Sequence, residues 1–61
     1  MYQVKILDEE NEVDLSEEIN KFLKDNNDIR LFDIKFHVSC FSNEDEQIYC
    51  FSAMIIYSID L

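Results

Sequence analysis

The fold is decided by residues 30–58, RLFDIKFHVSCFSNEDEQIYCFSAMIIYS. From residue 30 to residue 40, apolar and polar side chains alternate, which is the period of a β-strand with one buried face. The apolar members are Phe32, Ile34, Phe36 and Val38. A polar turn at residues 42–46 separates this strand from residues 47–58, where both faces are largely apolar. The stretch therefore predicts a hairpin whose second strand is covered on both faces.

Upstream of the hairpin, the sequence predicts one further strand and one helix. Tyr2, Val4 and Ile6 alternate with polar residues, which indicates a short strand. Beyond Asp14, apolar residues recur at i, i+4, i+7 and i+8, the spacing of an amphipathic helix that ends near Lys24. The apolar helix residues are Leu15, Ile19, Phe22 and Leu23. Asp14 is the predicted N-cap of this helix.

The order of these elements predicts an α+β fold, a single βαββ domain over residues 1–61. A right-handed crossover makes the first two strands parallel. The last strand then fits between them, antiparallel to both, in a three-stranded sheet of order 1-3-2. One helix covers one face of this sheet, yet the central strand is apolar on both faces. We therefore expect the second face to be used for self-association.

The hairpin register decides which residues of the last strand lie on that second face. We expect the helix to cover alternate residues of the two outer strands, namely Val4, Ile6, Phe32, Ile34, Phe36 and Val38. In the register that we favour, the even residues of 48–56 lie with them, because the small Cys50 and Ser52 suit the close approach of a helix. The contrary register exchanges the two faces of the last strand.

In the favoured register, the second face carries four large side chains of the last strand beside a lysine and a histidine. These residues are Lys35, His37, Tyr49, Phe51, Ile55 and Tyr57. Such a patch is larger than a soluble monomer normally exposes, which predicts a homodimer or a higher oligomer. Two alternatives stay open. Phe41 and Ile29 could fold over the patch, or the patch could form a crevice between subunits that holds a small-molecule ligand.

Composition limits the partners of the chain. Sixty-one residues form one small domain, and folding removes only about 60% of the surface that such a chain exposes when unfolded. Fourteen Asp and Glu against five Lys and Arg give a net charge of −9, which repels phosphates and disfavours direct nucleic-acid binding. The apolar runs are too short to span a membrane, and the first residues lack a secretory signal. We expect a cytoplasmic protein.

The acidic residues are unevenly distributed. Seven of them fall between Asp8 and Glu18, with no basic residue among them. Together with the acidic turn of the hairpin, they predict a surface that binds a basic region of another protein through charge complementarity. The simpler interpretation is a solvated face. The residues assigned to partner binding are Asp8, Glu9, Glu10, Glu12, Glu44, Asp45 and Glu46.

We predict no catalytic residues, no cofactor and no metal. His37 and Cys40 point to opposite faces of a strand, so the imidazole does not activate the thiol. Four strand residues, about 13 Å, separate His37 from Asp33, which is too far for a hydrogen bond. His37, Cys40 and Cys50 also lack the paired short spacing of zinc ligands. Without any Gly, the chain has no phosphate-binding loop and no strained nucleophile turn.

Three segments of the chain resemble a family of short sporulation proteins of spore-forming bacteria, with homologues in their bacteriophages. They are VKILDEENEVDLSEEINKFL at residues 4–23, DIKF at 33–36 and EQIYCFSAMIIY at 46–57. The resemblance spans nearly the whole chain, and the last segment is its most specific part. It implies a cytoplasmic or forespore-associated protein and supplies no catalytic residues.

We interpret the chain as a small acidic, non-enzymatic binding module that acts as a homo-oligomer. Two biological settings follow, a phage-encoded inhibitor of a host immune nuclease or helicase, and a sporulation-associated protein. An alternative is an oligomeric sponge that sequesters a nucleotide signal between subunits. Its ligand would contact Lys35, His37, Tyr49 and Tyr57.

Overall fold

Strand β1 (Tyr2–Glu9) leads into helix α1 (Glu12–Asp25), and strands β2 (Ile29–Asn43) and β3 (Glu46–Ile59) follow. This computed structural model describes residues 1–59, so the last two residues of the predicted domain lie outside the described residues. The strands form one sheet in the order β1-β3-β2, with β3 antiparallel to both neighbours. The predicted α+β arrangement and strand order are confirmed.

The helix begins earlier than predicted, and its N-cap is Asn11. The Asn11 side-chain oxygen accepts a hydrogen bond from the Asp14 N–H at 2.8 Å, and its amide donates to the Asp14 carboxylate at 2.8 Å. Asp14 as the N-cap is therefore wrong, because it occupies the third helical position and its carboxylate accepts a hydrogen bond from the side chain of the cap. At the C-terminal end, the Asn26 N–H and side-chain amide both donate to the Phe22 carbonyl, at 3.0 and 2.9 Å.

The core lies where α1 packs against β1 and β3. Three described residues are buried there, Leu15, Ala53 and Ile55. The Phe22 ring meets the Tyr57 ring edge-on, with centroids 5.4 Å apart. The core is small because a helix of 14 residues spans about 21 Å, whereas the 15-residue strand β2 extends over about 50 Å. Most of β2 consequently has no helix above it.

The hairpin adopts the contrary register, so the register that we favoured is wrong. Asn43 pairs directly with Glu46, which leaves a two-residue turn. A turn of this length pairs even residues of β2 with odd residues of β3, for example Phe36 with Ala53. Ala53 and Ile55 thus lie beneath the helix, and the even residues of β3 lie on the opposite face, which we call the open face.

Three residues predicted beneath the helix lie on the open face instead. Val4 and Ile6 pair with Ile56 and Met54, so they share the face of the even β3 residues. Phe32 lies at a bulge of β2, and its ring is 5.1 Å from the Tyr2 ring. The alternation within a strand separates its two faces but does not indicate which face packs against the helix. The sequence alone therefore could not place these residues. Ile34, Phe36 and Val38 do lie on the helix side, but the prediction that the helix covers them is wrong, because α1 contacts β1 and β3 only and leaves Phe36 and Val38 exposed.

Phe41 and Ile29 do not fold over the sheet. Both belong to β2, where Phe41 pairs with Ile48 and Ile29 pairs with Ile59. The Phe41 side chain is exposed. The alternative in which these two residues cover the second face is therefore wrong, because each is held in the ladder of the hairpin.

The molecule is long and thin, with extents of 51 × 19 × 10 Å. Its radius of gyration is 13.9 Å, against about 10.5 Å for a compact chain of this length. Pairing between β1 and β3 ends at Glu9 and Phe51, so residues 39–50 continue as a two-stranded extension that we call the hairpin arm. No helix within residues 1–59 is long and apolar enough to cross a membrane.

Candidate interaction surfaces

The first acidic group lies where β1 turns into α1, and we call it the acidic junction. It comprises Asp8, Glu9, Glu10 and Glu12. The Asp8 carboxylate is on the open face and accepts a hydrogen bond from the Ser52 hydroxyl at 2.6 Å. Glu9 pairs with Phe51 and lies on the helix side. Glu12 and Asp14 lie in the first turn of α1, where the helix dipole stabilises negative charge.

Carboxylates crowd one another at this junction. A side-chain hydrogen bond with Glu18 raises the pKa of the Glu9 carboxyl above its ordinary value. Desolvation and repulsion from Glu18, Asp14 and Glu10 raise this pKa further. The carboxylates of the junction therefore repel one another, and a nearby cation would reduce this repulsion.

An open cleft separates the acidic junction from the hairpin arm, with a volume of about 440 Å³. One wall is formed by residues at the end of β1 and the start of α1, and the other by three residues of β3. The first wall comprises Asp8, Glu9, Glu10, Asn11 and Asp14, and the second Ile48, Tyr49 and Cys50. Because β1 ends opposite Phe51, residues 46–50 of β3 pair with β2 alone among the described residues. The cleft thus contains a free strand edge with acidic groups beside it.

The second acidic group is the turn of the hairpin, Glu44, Asp45 and Glu46, which we call the acidic turn. Glu44 adopts a positive φ of 36°. The five β3 residues from Glu46 to Cys50 place this turn about 17 Å beyond the end of β1. The acidic surface predicted from the sequence thus consists of two separate groups. The acidic junction lies at the base of the hairpin arm, and the acidic turn lies at its tip.

Three aromatic side chains line the helix side of the sheet next to the junction, and we call them the aromatic strip. The Phe51 ring stacks with the Phe36 ring at 6.4 Å and with the Tyr49 ring at 6.2 Å. Phe36 is 59% exposed although it was predicted beneath the helix. The short helix covers β1 and β3 only, so comparing the lengths of α1 and β2 would have indicated this exposure.

The six residues predicted to form one self-association or ligand face do not share a face. Lys35 and His37 lie on the open face, opposite Met54 and Ser52. Tyr49, Phe51, Ile55 and Tyr57 lie on the helix side, where Ile55 is fully buried and Tyr57 contacts Phe22. The prediction of a single face is wrong because it depended on the favoured register.

The open face instead presents a group of apolar side chains that sequence reasoning placed elsewhere. We call this group the apolar block, and it comprises Tyr2, Val4, Ile6, Phe32, Met54 and Ile56. Tyr2, Val4, Ile6 and Phe32 are all more than half exposed. Helix α1 packs on the opposite side of this segment of the sheet. The block itself is not covered by any element of the described chain.

The two thiols and the imidazole do not converge. Cys40 pairs with Tyr49 on the helix side, whereas Cys50 pairs with Ser39 on the open face. Both cysteines are free, and the Cys50 sulfur lies 3.7 Å from the Ser52 hydroxyl. Within residues 1–59, no three His, Cys, Asp or Glu side chains are grouped so as to hold a metal ion.

The fold and these surfaces define a class, a small acidic α+β protein whose single helix leaves most of a long hairpin uncovered. The family model described as sporulation protein Cse60 matches residues 1–59. The chain is also 52% identical over 58 residues to the sporulation protein Cse60 of Bacillus subtilis strain 168, covering 93% of this chain and 97% of that protein. No solved structure matches. The chain belongs to the Cse60 family of sporulation proteins, which confirms the expected family.

Proposed function

We propose that the chain is a non-enzymatic, sporulation-associated protein that assembles as a homo-oligomer and binds a basic segment of another protein at its hairpin arm. One observation carries this proposal. The free edge of β3 at residues 46–50 lies between the acidic junction and the aromatic strip. Backbone groups, negative charge and apolar rings thus meet at one place.

The strand edge supports binding of an extended segment. An unpaired edge offers backbone N–H and C=O groups to an added strand, which is a common mode of peptide recognition. A segment that continues the line of β1 would pair with residues 46–50 of β3. Its side chains would point alternately to the two faces of the sheet.

Charge and aromatic surface support a partner rich in Lys or Arg with apolar residues between them. A cation would relieve the repulsion among the carboxylates around Glu9, which adds to the hydrogen bond with Glu18 in raising the pKa of Glu9. On the helix side, the same segment would contact Tyr49 and Phe51, which stack on each other beside the edge. Cation–π contact and apolar burial would then add to charge attraction.

Assembly is supported by the small core. Leu15, Ala53 and Ile55 are the buried residues of the described chain, which is little for a domain that stands alone. Large apolar side chains are exposed on both faces of the sheet. A second subunit would supply the missing burial.

Two more specific forms of the function differ in their support. An inhibitor that caps the basic groove of a nuclease or helicase is a version of the same binding, and the family match favours the sporulation setting over a phage setting. A nucleotide sponge has less support, because Lys35 and His37 lie on one face of the sheet and Tyr49 and Tyr57 on the other.

The binding proposal can be tested with a fluorescently labelled, lysine-rich peptide that carries two tryptophans, by anisotropy titration. Exchanging Glu9 and Glu10 for Gln should raise its Kd about tenfold, and raising NaCl from about 50 to about 300 mM should weaken binding by a similar factor. The matched control exchanges Asp25 and Asp28 for Asn. It removes the same charge away from the arm and should change Kd less than about twofold.

Equal losses in the two double variants would show that the peptide senses net charge only, and the proposed site would then be wrong. Replacing Tyr49 with Ala should weaken binding of this peptide and leave a peptide of lysines alone unaffected. A Tyr49→Ala variant that binds both peptides like the unmodified chain would exclude the aromatic strip from the site.

A further inference from the structure

We infer that the open face is the contact between two copies of this chain, packed antiparallel about a two-fold axis that passes through the apolar block. The inference rests on the proposed self-association and names its surface and its geometry. Residue pairing places the block around Val4 with Ile56 and Ile6 with Met54, near one end of the sheet.

The block has the composition of an interface core. Its aromatic, aliphatic and methionine side chains are contiguous, since the Tyr2 and Phe32 rings meet across β3 beside Ile56. The centre of a stable interface is depleted of charge and enriched in such residues. The block itself contains no charged residue, and the charged pair Asp33 and Lys35 borders it on β2, opposite Ile56 and Met54.

Two polar pairs beside the block are already formed within the same face. The Lys35 ammonium lies 3.5 Å from the Asp33 carboxylate, and the Ser52 hydroxyl donates to Asp8 at 2.6 Å. Because these groups already bond to each other, they would keep a polar partner when the face is covered. This favours an occupant that is itself flat and apolar.

The exposed area matches what a second copy would bury. The chain exposes 4962 Å², whereas a compact monomer of 7.3 kDa exposes about 4,200 Å². The excess over the whole molecule, hairpin arm included, is about 800 Å², which is the size of the area that each partner buries in a standard interface. A second copy presents the same flat face, so an isologous contact satisfies both copies at once.

Charge selects the antiparallel orientation. The centre of the block lies about 13 Å from the acidic junction and about 30 Å from the acidic turn along the strands. Antiparallel packing separates the two junctions by about 26 Å and the two turns by about 60 Å, both well beyond the screening length of about 8 Å at physiological salt. Parallel packing would hold like charges about 10 Å apart, across the spacing of two sheets.

The aromatic strip is less suited to self-association, because Phe51 lies directly beside Glu9. Two copies that met there would bring their acidic junctions together. The two exposed apolar surfaces therefore have different partners, a second copy for the apolar block and a basic segment for the aromatic strip.

The test compares Val4→Lys with Val38→Lys by sedimentation equilibrium of the full chain over a range of concentrations. Val4 is 55% exposed on β1 at the open face, and Val38 is 41% exposed on β2 at the helix side. Val4→Lys should raise the dimer dissociation constant by at least about 100-fold, since it places two unpaired ammonium groups in the interface. Val38→Lys should leave this constant within about threefold of the unmodified chain.

A label at the acidic turn measures the orientation without altering the interface. With Cys40 and Cys50 exchanged for Ser, a spin label at Asp45→Cys should give an intermolecular distance of about 65 Å by double electron–electron resonance. Parallel packing would give about 20 Å or less. This measurement keeps the inference testable if Val4→Lys fails to fold, which circular dichroism would reveal.

The outcomes separate the inference from the proposed function. An assembled chain in which Val4→Lys also stays assembled, or in which Val38→Lys alone dissociates, overturns the open-face contact and leaves the proposed oligomer standing. A short distance between labels overturns the antiparallel geometry. An unmodified chain that is monomeric at all concentrations overturns both self-association and the inference.

Discussion

The two halves of β3 differ in what surrounds them. From Phe51 to Ile59 the strand lies between β1 and β2, with α1 packed over it, and it contains Ala53 and Ile55 of the core. From Glu46 to Cys50 it pairs with β2 alone and has no helix above it. One continuous strand thus passes from the centre of the fold into the hairpin arm.

The two halves of β3 serve different purposes, stability in one and accessibility to partners in the other. Burial in a small domain is concentrated at few positions, so the half with the core determines whether the chain folds. The arm keeps its edge, its aromatic rings and its acidic turn accessible, and residues that bind partners are commonly found on such extensions. Substitutions in the two halves should therefore differ in their effect on unfolding.

The largest expected effect is in the core half. Ile55→Ala should lower the free energy of unfolding by about 3 kcal/mol, because Ile55 is fully buried and its loss leaves a cavity. Urea denaturation at several protein concentrations measures this effect, which should not depend on concentration. The matched change on the open face, Ile6→Ala, should cost less than about 1 kcal/mol in the dissociated chain, since Ile6 is exposed there.

The effect of Ile6→Ala should also depend on protein concentration. Its destabilisation should grow at protein concentrations where the proposed dimer forms, because that dimer would bury Ile6, which the monomer exposes. If Ile6→Ala destabilised the dissociated chain as strongly as Ile55→Ala, the assignment of the core to the helix side of β3 would be contradicted.

A smaller effect of opposite sign is expected at the tip of the arm. Glu44 has a positive φ at the first central position of a two-residue turn, where glycine is favoured. Glu44→Gly should therefore raise the unfolding free energy by about 0.5 kcal/mol. Asp45→Gly is the control, and it should destabilise the chain, because Asp45 has no positive φ to relieve. Thermal unfolding followed by circular dichroism compares the two variants. Stabilisation by Asp45→Gly and not by Glu44→Gly would contradict the turn geometry.

The smallest effect concerns the junction between the two halves and depends on pH. Because the pKa of Glu9 is raised in the folded chain, the folded state binds more protons than the unfolded state, and stability falls as the pH rises through the carboxylate range toward neutrality. Glu9→Gln should raise the Tm at neutral pH, and the gain should shrink as the pH falls below the ordinary pKa of Glu. Glu46→Gln is the control at the acidic turn. A gain for Glu9→Gln that did not change with pH would contradict the account of Glu9.

The sequence predicted much of the fold and less of the surface. Strand alternation and helical spacing were sufficient for the element order, and the crossover rule then placed β3 at the centre. The register could not be predicted, because it depends on whether the polar segment around Glu44 closes as a two-residue or a longer turn. Without the register, Tyr49 and Ile55 were assigned to the wrong face.

The acidic groups were easier to predict than the apolar ones. Charged residues such as Glu9 and Glu44 lie next to element ends, so their position follows from the boundaries of β1 and the hairpin. Val4 required knowledge of which face meets the helix, and Phe36 required the extent of the helix, because an apolar residue on a strand is buried only where something packs on it. The apolar block and the aromatic strip were therefore found in the structure and not in the sequence.

The whole account depends on two copies of the chain joining through an apolar contact. Light scattering coupled to size-exclusion chromatography, at low and at moderate salt, tests it most directly on the unmodified protein. The account predicts a stable mass of twice 7.3 kDa that persists as salt rises, since the contact is apolar and the acidic ends are far apart. A folded species of 7.3 kDa at every concentration and salt would contradict it.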